Sequence, residues 1–346
     1  MTEHFWLGML IVTGAGALNG SFSLPMKYSK TWAWENIWSV YALTALLVLP
    51  WALAVGFVPR LSAVYAGLGW HALLYPVMFG LLWGIAQTTF GLSIQAIGMA
   101  ITFAIVSGLV CLTGSLIPLL AFHPAELFQP LGILMVVSLP ILLAGLALYG
   151  KAGMRRENEQ PAVPSHAAKG AITYKAGLAL CIFTGIFGSA WNLGFVFSGD
   201  VLRRGIQFGA KPLTAPYAAW ALILSGGLLP NILYPAFLLS RRHTWPSFTK
   251  GNWIRELGLG LLMAVVWLGA ILSYGVGATL VGKYGTSVGF TVYIAASVLA
   301  SNAIGVATGE WKGSSSRTWK LLAAGLALIL LSVMVINLGG LFVKVA

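Results

Sequence analysis

Charge is what this chain has least of. Asp, Glu, Lys and Arg make up 8% of its 346 residues, where a soluble domain carries about a quarter. So little charge cannot build a water-exposed surface, which excludes an ordinary soluble protein. Cysteine is nearly absent too, with 2 in all, Cys111 and Cys181, each inside an apolar run, so no disulfide framework is expected. The 5 His, at 4, 71, 123, 166 and 243, are scattered and form no metal-spaced cluster. HExxH, a P-loop and a suitably placed GxSxG are also missing. These gaps argue against an enzyme, against a metal or other cofactor, and against transport driven by ATP.

Acids are the scarcest charge. The 8 are Glu3, Glu35, Glu126, Glu157, Glu159, Asp200, Glu256 and Glu310, all in expected loops, tails or the outermost turns of apolar runs. No acid falls at mid-depth as an obvious proton carrier, and no Lys or Arg falls there to meet an anion. A neutral solute fits such a chain better than a charged one.

Apolar residues are what is there. Hydrophobic residues reach 58%, and the mean hydropathy is +0.87. Runs of roughly 20 apolar residues recur, each long enough to cross a bilayer as a helix. The 42 Gly, 15 Pro and 14 Trp suit membrane helices and their interfaces. Without the alternation of a β-barrel, the chain reads as an all-α polytopic membrane protein of ten transmembrane helices. The spans are 5–24, 37–58, 72–95, 99–121, 130–150, 174–197, 215–239, 256–280, 286–308 and 319–342. MTEHFW lacks a basic leader region, so the first run is expected to stay as span 1.

The net charge of +12 comes from basic residues set singly or in pairs between spans. That pattern follows the positive-inside rule and does not suggest nucleic acid. One long polar stretch, 151–173, separates a first five-helix half (1–150) from a second (174–346). With that linker in the cytoplasm, inside segments hold 14 Lys and Arg against 6 outside. Both termini are then expected outside.

Five spans per half make a duplicated half lie upside down, the inverted repeat that many transporters use. WGIAQTTFGLSIQAIG (83–98) and WLGAILSYGVGATLVG (267–282) support it: Trp83, Gly91 and Gly98 match Trp267, Gly275 and Gly282 at an offset of 184. GxxxG pairs at Gly16/Gly20, Gly80/Gly84 and Gly305/Gly309 mark close-packing helices.

Polar side chains at membrane depth are the site candidates. For substrate binding these are Asn19, Trp83, Gln87, Asn192, Trp267, Tyr274 and Tyr293. Amides donate and accept at once, and aromatic rings can cover the apolar face of a sugar. Interhelical hydrogen bonding is the competing explanation, most of all for single Ser and Thr residues. Glu35 is assigned to coupling or gating, against the simpler role of an acid near a helix N-terminus.

A resemblance sharpens this reading. LPMKYSKTWAWENIWSVYALTALLVLPW (24–51) resembles the matching segment of the bacterial L-rhamnose–proton symporter family: a Pro, a Lys, WxWE, Trp-Ser and a closing Leu-Pro-Trp. FGLLWGIAQTTFGLSIQAIGMAI (79–101) and GEW at 309–311 extend it. It covers most of the chain, is strongest through the first 120 residues and weakest in spans 6 and 7. The resemblance implies the drug/metabolite transporter superfamily, with a cavity lined mainly by spans 1, 3, 4, 6, 8 and 9. It implies uptake of L-rhamnose, or a close 6-deoxyhexose, with a cation, usually H⁺. Enteric members carry Asp where this chain has Thr286, His at Tyr293 and Asn at Gln87. The first two departures remove titratable groups and leave Glu35 as the first choice for coupling. The alternative is a superfamily exporter, or a facilitator of another small neutral solute.

Overall fold

A backbone in hydrocarbon has to satisfy its own hydrogen bonds, and the computed structural model does so with helices. It describes residues 2–97, 99–159 and 173–339. Gly98 of the repeat, most of the polar linker with Lys169, and Lys344 lie outside the described residues. No strand occurs among the described residues.

The first half contains α1 (Thr2–Ser21), α2 (Trp34–Leu43), α3 (Leu49–Phe57), α4 (Leu61–Ala66), α5 (Trp70–Ile97), α6 (Met99–Phe122) and α7 (Pro130–Glu159). The second contains α8 (Tyr174–Phe187), α9 (Ala190–Val196), α10 (Gly199–Gln207), α11 (Pro216–Arg241), α12 (Trp253–Val281), α13 (Phe290–Ala307) and α14 (Ser316–Gly339).

Among the described residues nine helical segments are long and apolar enough to cross a membrane, against the ten spans expected. The difference lies in one 55-residue segment, Trp253–Ala307, which covers the expected spans 256–280 and 286–308. It reverses at Gly282, whose φ of 77° suits a residue without Cβ. Packing confirms the reversal. The Gly8 side of α1 lies on Gly277 and Val281, while Gly16 and Gly20 lie on Tyr293, Ser297 and Ala300. α1 thus runs antiparallel to α12 and parallel to α13, which makes these two helices a hairpin.

Three elements differ from simple spans. Span 2 passes through a π-helical turn, Thr44–Val48, just before Pro50. Proline offers no N–H and its ring crowds the preceding turn, which the wider turn relieves. Span 6 is broken between α8 and α9 at Gly188 and Ser189. α7 runs to Glu159, so the first part of the expected linker is helical. There Glu159 accepts hydrogen bonds from Ser315 and Thr318 at the start of α14. These bonds set α7 and α14 antiparallel and place Gly339 at the end of the molecule away from the linker; α1, parallel to α13, begins at that same end with Thr2.

Close approach between helices rests on glycine. A Cβ built at Gly80 would fall 1.8 Å from the Ile223 carbonyl oxygen, and one at Gly84 would fall 2.6 Å from that of Gly227. Gly16 and Gly20 meet the carbonyls of Tyr293 and Ser297 at 2.5 and 2.3 Å. Two of the three GxxxG pairs therefore pack helices in earnest. The third does not: Gly309 has a φ of 81° beyond the end of α13, and Gly305 meets only Glu310 and Trp311 of the following turn.

The packing is reciprocal. α1, first in its half, lies on α12 and α13, while α8 lies on α5 through Gly177 and on α6 through Gly185 and Gly188. α7 and α14 pair at Gly145 and Gly325. Large apolar side chains such as Leu10, Val55 and Leu233 stay exposed on the outer surface, as a lipid-facing belt requires.

Candidate functional site

Between these helices lies a cavity of about 320 Å³, at the small end of the range for small-molecule sites. It forms where α5 and α12 each bring a tryptophan to mid-depth. Trp83 and Trp267, the pair matched by the 184-residue offset, stack with an offset, their centroids 5.6 Å apart and their planes 15° apart. Gln87 follows Trp83 one turn later and lines the same cavity. Among the described residues its amide has no protein partner, so both ends of the group are available.

The opposite wall comes from α1 and α13. Asn19 donates through Nδ2 to Ser297 Oγ at 3.1 Å, leaving its amide oxygen to the cavity. Ser297 Oγ in turn donates to the carbonyl of Tyr293, at 2.8 Å. Tyr293 sits one helical turn before Ser297 and also lines the space. Asn19, Trp83, Gln87, Trp267 and Tyr293 are thus brought together, from four helices. Among the described residues none of the lining side chains is Asp, Glu, Lys or Arg.

Asn192 and Tyr274 lie behind this wall. Tyr274 Oη donates to Asn192 Oδ1 at 2.5 Å, and Asn192 Nδ2 donates to the carbonyls of Gly114 and Thr286, each at 2.9 Å. Both side chains are fully buried, both amide N–H donors are used, and the amide oxygen is turned to Tyr274 rather than to the cavity. Their place is in an aromatic layer of Trp191, Tyr274, Phe290 and Tyr293, with centroids 5.1–6.2 Å apart. That layer bounds the cavity at the end where the chain termini lie. In the other direction the lining runs on to Ser23, Tyr149 and Ser301, so the cavity reaches the linker end, where Ser23 and Ser301 are exposed.

Glu35 is elsewhere. It stands in the first turn of α2, fully buried, and accepts from Arg242 at 3.1 Å and Thr244 Oγ1 at 2.9 Å. Its carboxylate ties α2 to the turn that follows α11. A second buried acid, Glu256, does similar work nearby, accepting from the backbone N–H groups of Lys30 and Thr31. Neither lines the cavity.

Trp191, Thr184 and Ser297 also line the cavity and escaped the sequence reading. Trp191 directly precedes Asn192, and Ser297 sits one turn after Tyr293, so neighbours of chosen residues were the available signal. Thr184 had none: a lone Thr in an apolar helix looks like any other, and its hydroxyl already pairs with Thr89 at 2.8 Å.

An uncharged, mostly apolar cavity with a few amides and hydroxyls on its wall, enclosed by membrane-length helices, suits a transporter of small solutes. The chain belongs to the L-rhamnose-proton symport protein family (RhaT), whose profile matches residues 1–341. The L-rhamnose-proton symporter of Mannheimia succiniciproducens is 26% identical over 329 residues, covering 92% of this chain and 93% of its own. That of Citrobacter koseri is 23% identical over 346 residues, covering 98% and 99%. A solved crystal structure aligns over 99% of this chain and 100% of its own with a TM-score of 0.51. At 17% identity, that likeness speaks for the fold alone.

Proposed function

We propose that the chain imports L-rhamnose together with a proton by alternating access. The observation that carries this is the uncharged cavity lined by the stacked pair Trp83 and Trp267. Amides from Asn19 and Gln87 suit sugar hydroxyls, and the indole and phenol faces suit the apolar face and methyl group of a 6-deoxyhexose. Family membership and the names of the curated relatives support the same solute and the same ion. An uncharged lining also disfavours a cationic drug, which needs an acid to pair with.

In this proposal Asn19, Trp83, Gln87, Trp267 and Tyr293 contact the sugar, while Asn192 and Tyr274 shut the far end behind it. The two five-helix halves form an inverted repeat, supported by the reciprocal packing of α1 and α8 and by the meeting of Trp83 with its match. The excess of Lys and Arg at the linker end argues for that end in the cytoplasm of a cell with this protein in its inner membrane, termini outside. The cavity then faces inward. Glu35 serves as a gating tie at the inner end rather than a ligand.

Three tryptophans in the cavity allow binding to be read directly. Titrating L-rhamnose into the purified protein should change intrinsic fluorescence saturably, and the carboxylate analogue L-rhamnonate should not. The absence of a saturable response to any 6-deoxyhexose contradicts the proposal.

A further inference from the structure

The far end of the molecule carries an ionic contact that the sugar site does not use. The loop from α6 to α7 contains a 3-10 turn, Pro124–Phe128, and Glu126 within it reaches the α12–α13 reversal. Its carboxylate accepts from Lys283 Nζ at 2.6 Å and from Tyr284 Oη at 2.5 Å. Both donors follow Gly282, the residue whose positive φ turns the hairpin. Hydrogen bonds from Lys283 and then Tyr284 hold the Glu126 carboxyl below its ordinary range, so it is ionised at neutral pH.

The same reversal is also held from beneath. Thr286, two residues past Tyr284, gives its carbonyl to Asn192 of α9. Glu126 from the α6–α7 loop and Asn192 from the broken sixth span therefore grip one turn from two sides. Lys283 is half exposed and Glu126 partly so, which places this ion pair at the surface rather than in the packed interior.

Glu126 has a counterpart. Glu310 stands at the 184-residue offset that also relates Trp83 to Trp267, in the loop after the fourth helix of its own half. It lies at the linker end, where the cavity emerges, and there it pairs with Lys27 and Arg156. One loop position thus bears an acid at each end of the molecule. At the shut end it grips a helix hairpin; at the end the cavity reaches, it is engaged with the end of α7 and the loop after α1.

We infer that Glu126, Lys283 and Tyr284 form a latch that holds the far end closed while the cavity faces the linker end. This rests on the alternating-access reading above, though not on which sugar is carried. Exchange to the opposite state requires the hairpin to leave the α6–α7 loop, and the latch is the charged contact that must part.

Cysteine labelling tests this without any sugar. Ser287 lies on the gripped turn and is 1% exposed. Ser287→Cys is placed in the full chain with Cys111→Ser and Cys181→Ser, and a membrane-impermeant maleimide is added from the far face. Glu126→Gln should raise the labelling rate about threefold to fivefold, the scale of a partly exposed ion pair. Lys283→Gln should do the same, and Ser23→Cys, read from the linker face, should lose reactivity in both. Thermal melting verifies that each variant is folded; should Glu126→Gln fail to fold, Lys283→Gln carries the test. Unchanged Ser287→Cys labelling in a folded latch variant overturns the inference. Rhamnose titration of the same variants reports separately on the sugar reading, because Glu126 touches no part of the cavity.

Discussion

Asn19→Ala and Gln87→Ala will each cut L-rhamnose uptake by roughly 10-fold to 100-fold, with the protein still inserted at its normal level. A hydrogen bond lost from a buried polar partner costs about 1–3 kcal/mol, and the sugar hydroxyl left behind has nothing else to bind in so small a space. The two amides reach the cavity in different ways. Gln87 has no hydrogen-bonding partner among the described residues, so its removal breaks no hydrogen bond between helices. Asn19 is held by Ser297 and also lies next to Gly20, where α1 touches α13. Gln87→Ala is accordingly the cleaner of the two. Initial uptake rates of labelled sugar, normalised to membrane protein detected by blotting, measure both. Wild-type affinity in both variants would mean that these amides serve the helices and not the solute.

Gly80→Ala will prevent the chain from reaching its native packing, a larger effect than any change within the cavity. The added carbon would stand 1.8 Å from the Ile223 carbonyl oxygen. That atom belongs to the backbone of α11, which cannot step aside as a flexible side chain can. Ordinary overpacking costs about 1–3 kcal/mol; pushing two long helices apart in lipid also opens the contact at Gly84 and Gly227, so the cost lies at or above the top of that range. Gly91→Ala provides the control, since a Cβ there meets nothing within 4 Å. Gel filtration in detergent and a thermal melt should show Gly80→Ala aggregated or strongly destabilised and Gly91→Ala unchanged. Equal melting temperatures for the two would contradict the close α5–α11 contact.

Gly91 also shows how far the sequence match at the 184-residue offset carries structural meaning. Its match, Gly275, does have a structural reason, because a Cβ there would meet the Trp220 indole at 2.6 Å. Gly91 itself faces open space, so the sequence match between them does not reflect a shared packing need. The tryptophans of the same motif fared better: the two matched indoles stack on each other at the wall of one cavity. Apolar run length was enough to locate nearly every span, since the bilayer imposes it on each segment independently. The break in span 6 was hidden, as Gly188 and Ser189 look no different from residues inside helices elsewhere in the chain.

The site divided along a similar line. Residues that face the cavity with spare hydrogen-bonding capacity, such as Gln87, were visible as isolated amides in apolar helices. Asn192 looked the same in sequence, yet its amide is consumed by Gly114, Thr286 and Tyr274. Those partners come from three other helical segments and no local pattern announces them. Glu35 meets Arg242 and Thr244, more than 200 positions away in the chain. Its role as a tie between α2 and the turn after α11 depends on a tertiary contact that spacing could not supply.

Purified protein in liposomes, given labelled L-rhamnose at low concentration, should accumulate the sugar above its external level when the outside is acidic. Accumulation should collapse when a protonophore dissipates the gradient, and Glu35→Gln should retain the same dependence on the gradient. Uptake that proceeds equally with and without the pH gradient, or no uptake of L-rhamnose at all, would contradict the account.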